Sequence, residues 1–178
     1  VAFSGFSYEV PVVAARKVQE YPVKSVNCDI HIGVLHGELT TAQGRYAPFS
    51  IPEIREKGYD YWALGHIHTC QEVSSQPCAW YSGTTQGADR KESGPKGALL
   101  VEILPGNAPE VRFIETSTMD WTEAELAISK TARLETLPYL IVEALPNPSK
   151  RSLVTLHLQT QESIYSREDL KQLTEVVN

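Results

Sequence analysis

YDYWALGHIHTC, residues Tyr59 to Cys70, carries the reading of this chain. Bulky apolar residues run from Tyr59 to Leu64, Gly65 breaks them, and His66 and His68 flank a single isoleucine. An apolar run of this length bounded by a turn residue predicts a buried strand. Upstream, CDIHIGVLHG (28–37) predicts another strand, with Ile30, Ile32 and Val34 on one face and Asp29, His31 and Gly33 on the other. Between the two, FSIPEIREKG (49–58) carries helix signals: Ser50 as N-cap, Pro52 in the first turn, Glu53 three residues after the cap, and Gly58 at the C-terminus. The order strand, loop, helix, strand favours a parallel pairing, and so an α/β sheet.

Parallel strands gather the side chains at their carboxyl ends in one crevice, where such sheets bind ligands. His36 ends one strand, and His66 and His68 follow the next, so the three are expected to be neighbours in space. Neutral imidazole suits manganese, iron, zinc and related ions, and on a regular strand a spacing of two puts both rings on one face. The opposing reading is a pair of incidental histidines at a strand end. His31 lies within its strand and is expected to be a core histidine; His157 is assigned no role. Glu38 is a candidate outer group near the histidines, and Asp60 stands at the far end of its strand.

The rest of the chain divides in character. VAFSGFS (1–7) reads as a strand, and the segment between Pro11 and Pro22 as a short helix or irregular stretch. TCQEVSS, CAWYSG, GALLVEIL and EVRFIET read as short strands in an antiparallel stretch. Beyond about Ser117, TEAELAISKTARLETLP has helical composition, YLIVEAL and SLVTLHLQ read as strands, and SREDLKQLTEVV as a helix with Ser166 as N-cap and Asp169 at N3. This predicts a small α+β unit joined near Met119.

Composition narrows the classes. The 178 residues are 42% hydrophobic and 21% charged, as in a globular domain with a core. A net charge of -6 and a pI near 5.4 argue against a generic polyanion binder, so a nucleic-acid partner needs a local basic patch or metal ions. The loop GADRKESGPKG offers Arg90, Lys91 and Lys96 as candidate DNA-backbone contacts, against the plainer reading of a solvated loop. Three cysteines without a CxxC pair fit a reducing, cytoplasmic setting, and no apolar run is long enough to span a membrane. The chain opens at Val1, without Met, on strand-like sequence and closes on LKQLTEVVN, so a piece of a longer protein is expected.

LHG at 35–37 followed by YDYWALGHIH resembles the last two metal motifs of the calcineurin-like metallophosphoesterases. The wider run from IGVLHGELTTAQGRYAPFS through DYWALGHIHTCQEV, with WYSGTTQG and GPKGALLVEI, is similar to the bacterial SbcD-type DNA repair exonucleases. The resemblance covers roughly residues 1 to 118 and is most specific across 29 to 104. It implies the C-terminal half of a four-layer α/β/β/α sandwich over 1–118, followed by part of a small α+β capping, DNA-guiding domain over 119–178. It implies that His36 and His66 ligate one divalent ion and His68 a second, with manganese expected first and magnesium, iron or zinc as alternatives. Two such ions would polarise a phosphodiester and activate water. Implied partners are DNA and an SMC-like ATPase subunit, with a homodimer for the full-length protein and no membrane.

The departures weigh as much as the matches. The family's Gly-Asp-x-His, Gly-Asp-x-x-Asp and Gly-Asn-His motifs are absent: no Gly-Asp dipeptide occurs, and Gly106-Asn107 is followed by alanine. No catalytic residue beyond the three ligands is therefore expected here, and the isolated chain is expected to bind metal weakly and to be inactive. Two other readings stay open: a metallophosphoesterase acting on nucleotides or other small phosphoesters, and a non-catalytic scaffold or binding subunit.

Overall fold

The structure, a computed structural model, describes residues 1–128, 133–144, 151–159 and 166, and they fall into two compact units. The first comprises Val1–Gln86 and Pro95–Ser117; the second comprises Gly87–Gly94 and the chain from Thr118.

In the first unit the expected parallel α/β arrangement is present. Strands β1 (Ala2–Gly5), β2 (His31–His36), β3 (Tyr61–Gly65), β4 (Gln71–Ser75) and β5 (Cys78–Tyr81) form one sheet in the order β1-β2-β3-β5-β4. β1, β2, β3 and β5 are mutually parallel, and only β4 runs antiparallel, against β5. Helix α1 (Ile51–Glu56) makes the β2–β3 crossover. Its start follows the sequence signals: the Ser50 backbone N–H and hydroxyl both donate to the Glu53 carboxylate, and Gly58 closes the helix at φ +70°. A 3-10 turn at Lys17–Glu20 occupies the ambiguous segment before Pro22. Strands β6 (Gly97–Glu102) and β7 (Glu110–Glu115) form a separate antiparallel hairpin.

The buried face of β2 is the reverse of what the apolar stripe suggests. His31, Gly33 and Leu35 face the core, whereas Val34 is 48% exposed. The register explains it. Gly33 pairs with Trp62, whose ring occupies the space a side chain at position 33 would fill, and Trp62 is fully buried. His31 continues this column, stacked on Tyr59 at 3.7 Å between centroids, with Tyr59 in turn stacked on Trp62 at 4.9 Å. Val18, Phe49 and Ile54 complete the core from the crossover side. His31 is thus the core histidine expected from its place in the strand: Ser4 Oγ bonds its Nε2 at 2.9 Å, and its backbone N–H donates to Asp60, itself paired with Lys24.

The second unit corrects two expectations. Of the segment with helical composition (122–138), 122–127 lie in strand β8 (Met119–Ala127), 129–132 lie outside the described residues, and the end is helical as expected. Residues 139–144 of the expected strand YLIVEAL lie in helix α2 (Leu137–Ala144). β8 pairs in parallel with β9 (Arg151–Gln159), and a parallel pair needs a crossover connection; α2 lies within that connection. Leu137 and Ile128 are buried together, with Leu126, Leu140 and Leu158 around them. Topology overrode local propensity here. The helix expected from Ser166 lies outside the described residues.

Candidate metal centre at the ends of β2 and β3

The parallel register sets the site. His36, the last residue of β2, pairs with Gly65, the last residue of β3, and the Gly37 N–H donates to the Gly65 carbonyl at 3.1 Å. Gly37 is held from its other side by the buried Tyr81 hydroxyl, which donates to its carbonyl at 2.7 Å. Both histidine-bearing ends are therefore tied to one another and to the neighbouring strand β5.

At this end the His36 and His66 rings come together, 5.6 Å apart between centroids and at 77°. His66 does not continue β3. Its φ is +111°, a region that L-residues seldom adopt, so the strand rule of alternating faces does not govern the H-x-H pair. Gly65 is required beside it, because a Cβ there would lie 2.9 Å from the His36 ring nitrogen Nδ1. His68 is exposed, and Lys96 Nζ donates to its carbonyl at 3.3 Å. Burial lowers the His36 pKa, and the nearby His66 and His68 lower it further. The neutral ring is the form that can ligate a cation.

Aromatic and polar groups surround the pair. The Tyr8 ring meets His36 edge-on at 5.6 Å, while its hydroxyl donates to the His36 carbonyl at 2.8 Å. The Tyr46 ring lies 5.0 Å from that of His66. Glu38 accepts the backbone N–H groups of Arg45 and Tyr46, which hold its pKa below the ordinary carboxylate value. Sequence reasoning singled out Glu38 but missed both tyrosines; their signal was only their place near the histidines in the folded chain.

The proposed basic contacts separate. Arg90 and Lys91 are exposed in the second unit, whereas Lys96 belongs to the first and is 5% exposed. Lys96 is thus part of the support of the H-x-H turn and not a solvated loop cation. Asp60, paired with Lys24 and accepting the His31 backbone N–H, stands beside the amino end of β3, opposite to the end that bears His66, as expected.

The fit to a metal is partial. Two nearly perpendicular imidazoles at this separation suit a shared first-row cation, whose nitrogen ligands stand at roughly 2.0–2.1 Å. Among the described residues, however, no group of three or more His, Cys, Asp and Glu side chains is arranged to hold one. The chain is 31% identical over 150 residues to an uncharacterized metallophosphoesterase, YhaO, of Bacillus subtilis strain 168. This match supports the calcineurin-like metallophosphoesterases. It takes in 83% of this chain but 36% of the relative, so the chain spans about a third of that protein's length. No family model matches the chain. A metallophosphoesterase relationship implies divalent metal ions. No helix among the described residues is long and apolar enough to cross a membrane.

Proposed function

We propose that this chain supplies the histidine half of a two-metal phosphodiesterase centre, in a DNA repair exonuclease of the SbcD type. His36 and His66 serve one ion and His68 the other, with manganese as the preferred metal. The observation that carries this reading is the convergence of His36 and His66 at the carboxyl ends of adjacent parallel strands. Divalent ions bound there would polarise the phosphoester and activate water. The chain's own residues orient the ligands: Tyr8 and Gly65 fix the approach to His36, and Lys96 holds the turn that bears His68.

The carboxylates that complete such a centre are not contributed by these residues, in keeping with the missing Gly-Asp motifs and the partial coverage of the relative. Residues from 119 onward are assigned to a cap that guides DNA, with Arg90 and Lys91 as backbone contacts. The partners on this reading are DNA and an SMC-like ATPase subunit, in a homodimeric, cytoplasmic assembly. The absence of a three-ligand cluster among the described residues also favours a second reading, a non-catalytic binding subunit.

Assay of the 178-residue chain with manganese on linear DNA and on a nucleotide phosphoester tests these readings. Little or no turnover is expected from the isolated chain. Manganese-dependent hydrolysis abolished by His66→Ala would overturn the half-site assignment, and turnover confined to the nucleotide would favour small phosphoesters as substrates. If the protein carrying the complete sequence cleaves neither substrate, the binding-subunit reading replaces the enzyme.

A further inference from the structure

Ala47 and His66 are the two non-glycine residues with positive φ among the described residues, at +42° and +111°. Tyr46 stands next to the first in sequence and against the second in space. Its ring lies 5.0 Å from the His66 ring at 34°. Strained backbone survives only where its surroundings over-determine it, and here both strained positions bear on the same ring contact.

The segment carrying Tyr46 is held from several directions. The Glu38 carboxylate accepts the N–H groups of both Arg45 and Tyr46, and the Glu38 N–H donates back to the Tyr46 carbonyl at 2.9 Å. Gly44 leaves room for this carboxylate, because a Cβ there would collide with it. Ala47 is fully buried and donates its N–H to the Val13 carbonyl at 2.6 Å. The segment GRYAP, which resembles a plain loop in sequence, is thus built as a rigid arm. The Tyr46 hydroxyl has no hydrogen-bond partner among the described residues, so the ring face is the part of the side chain in use.

We propose that Tyr46 is a positioning residue that sets the orientation of the His66 imidazole, with Glu38 clamping the arm that carries it. A ligand histidine delivers its nitrogen to an ion only if its ring angle is fixed, and outer partners of metal ligands commonly change affinity by roughly 10–100-fold. No hydrogen bond to the His66 ring is present among the described residues, so its ring contacts, with Tyr46 on the rigid arm and with His36, take that part. The consequence for ligation rests on the metal reading of His66; the positioning itself does not.

The test uses the 178-residue chain, read by NMR of the histidine rings and by titration with cobalt(II) alone. In the absence of metal, the aromatic ring current of Tyr46 displaces the His66 ring protons. Tyr46→Phe is expected to keep that displacement, whereas Tyr46→Leu and Glu38→Ala remove it. The signals of His31, buried at the opposite end of β2, report whether each variant remains folded. Cobalt affinity is expected to fall about tenfold in Tyr46→Leu and to hold in Tyr46→Phe. Should Tyr46→Leu fail to fold, the metal-free ring-current comparison in Glu38→Ala decides, since this variant releases the arm while keeping the Tyr46 ring. Glu38→Gln separates the loss of the clamp from the loss of the carboxylate charge that also acts on His66. Unchanged His66 signals in a folded Tyr46→Leu or Glu38→Ala chain overturn the proposal. So does parental cobalt affinity in Tyr46→Leu where His66→Ala weakens binding. If His66→Ala leaves cobalt binding untouched, the metal reading fails, and the metal-free NMR comparison alone decides the role of Tyr46.

Discussion

His36 and His66 face one another across the ends of two hydrogen-bonded parallel strands, their rings 5.6 Å apart and close to perpendicular. Neither ring has a hydrogen-bonded carboxylate of its own among the described residues, so each is available to a cation. Replacing either with alanine is expected to weaken manganese binding at least about tenfold, given that even outer-partner losses reach that size. Electron paramagnetic resonance of free manganese, titrated into the chain, reads the change. Equal binding by parent and both variants would remove the pair from any metal site.

The backbone of His66 gives a second outcome, concerning stability. At φ +111° the histidine occupies a region costing an L-residue roughly 1–3 kcal/mol, and glycine carries no such penalty. His66→Gly is therefore expected to be more stable than His66→Ala by about 1 kcal/mol, even after glycine's greater unfolded-state entropy. Urea midpoints of the two variants measure it. A histidine held where glycine would be more stable is the signature expected of stability given up for function.

Much of this was legible in sequence, for reasons that can be named. The signals for α1 are local, and Ser50, Glu53 and Gly58 took the roles their chemistry dictates. The neighbourhood of His36 and His66 was legible from parallel pairing, but the ring geometry also depends on the positive φ of His66. What failed depended on contacts far apart in the chain. The buried face of β2 was decided by the Trp62 ring filling the space over Gly33, which no reading of the Ile30, Ile32 and Val34 stripe contains. The positive φ of His66 has no sequence marker, because Gly65 beside it drew the turn signal to itself. β8 and α2 exchanged their expected types because a parallel β8–β9 pair requires a crossover between them.

Gly33 offers a direct check on that packing. A Cβ added there would stand within 2.5 Å of Trp62 Cζ3, and the indole is fully buried. Overpacking of this kind typically costs 1–3 kcal/mol, so Gly33→Ala is expected to lose about 2 kcal/mol or more. Denaturant unfolding followed by Trp fluorescence would show it. Gly94, at φ +79° with open space around it, meets no such wall.

Glu53 joins the helix start to the rest of the first unit. Its carboxylate takes two hydrogen bonds from Arg16 and two from Ser50, and its pKa falls from 4.5 to about 2, chiefly through the Arg16 guanidinium. A folded value below the unfolded one means stability that is fully present above about pH 4.5 and is lost as pH falls toward 2. Glu53→Gln is expected to cost about 2 kcal/mol at pH 7, as for hydrogen bonds to a charged partner, and to flatten the stability profile across pH 4.5 to 2. A profile that stays as steep in the variant would assign the acid sensitivity to other carboxylates.

His31 sets the sensitivity at milder pH. It is 5% exposed and stacked on Tyr59, and its Nδ1 has no hydrogen-bond partner among the described residues. Burial lowers its pKa below 6.5, and the Lys24 ammonium adds to the effect while Asp60 partly opposes it. The folded chain therefore binds this proton less readily than the unfolded chain. Stability is full above about pH 6.5 and declines as pH falls from there toward the depressed folded value. His36, whose pKa is also lowered, adds a contribution of the same sign. His31→Phe preserves the stack on Tyr59 but removes the titrating group and leaves the Ser4 hydroxyl without its ring partner. It is expected to lower stability at pH 8 yet to reduce the decline between pH 6.5 and 5. Urea midpoints at pH 5, 6, 7 and 8 for the parent, His31→Phe and His36→Ala apportion the slope. Equal slopes in all three chains would show that neither ring is held neutral by the fold.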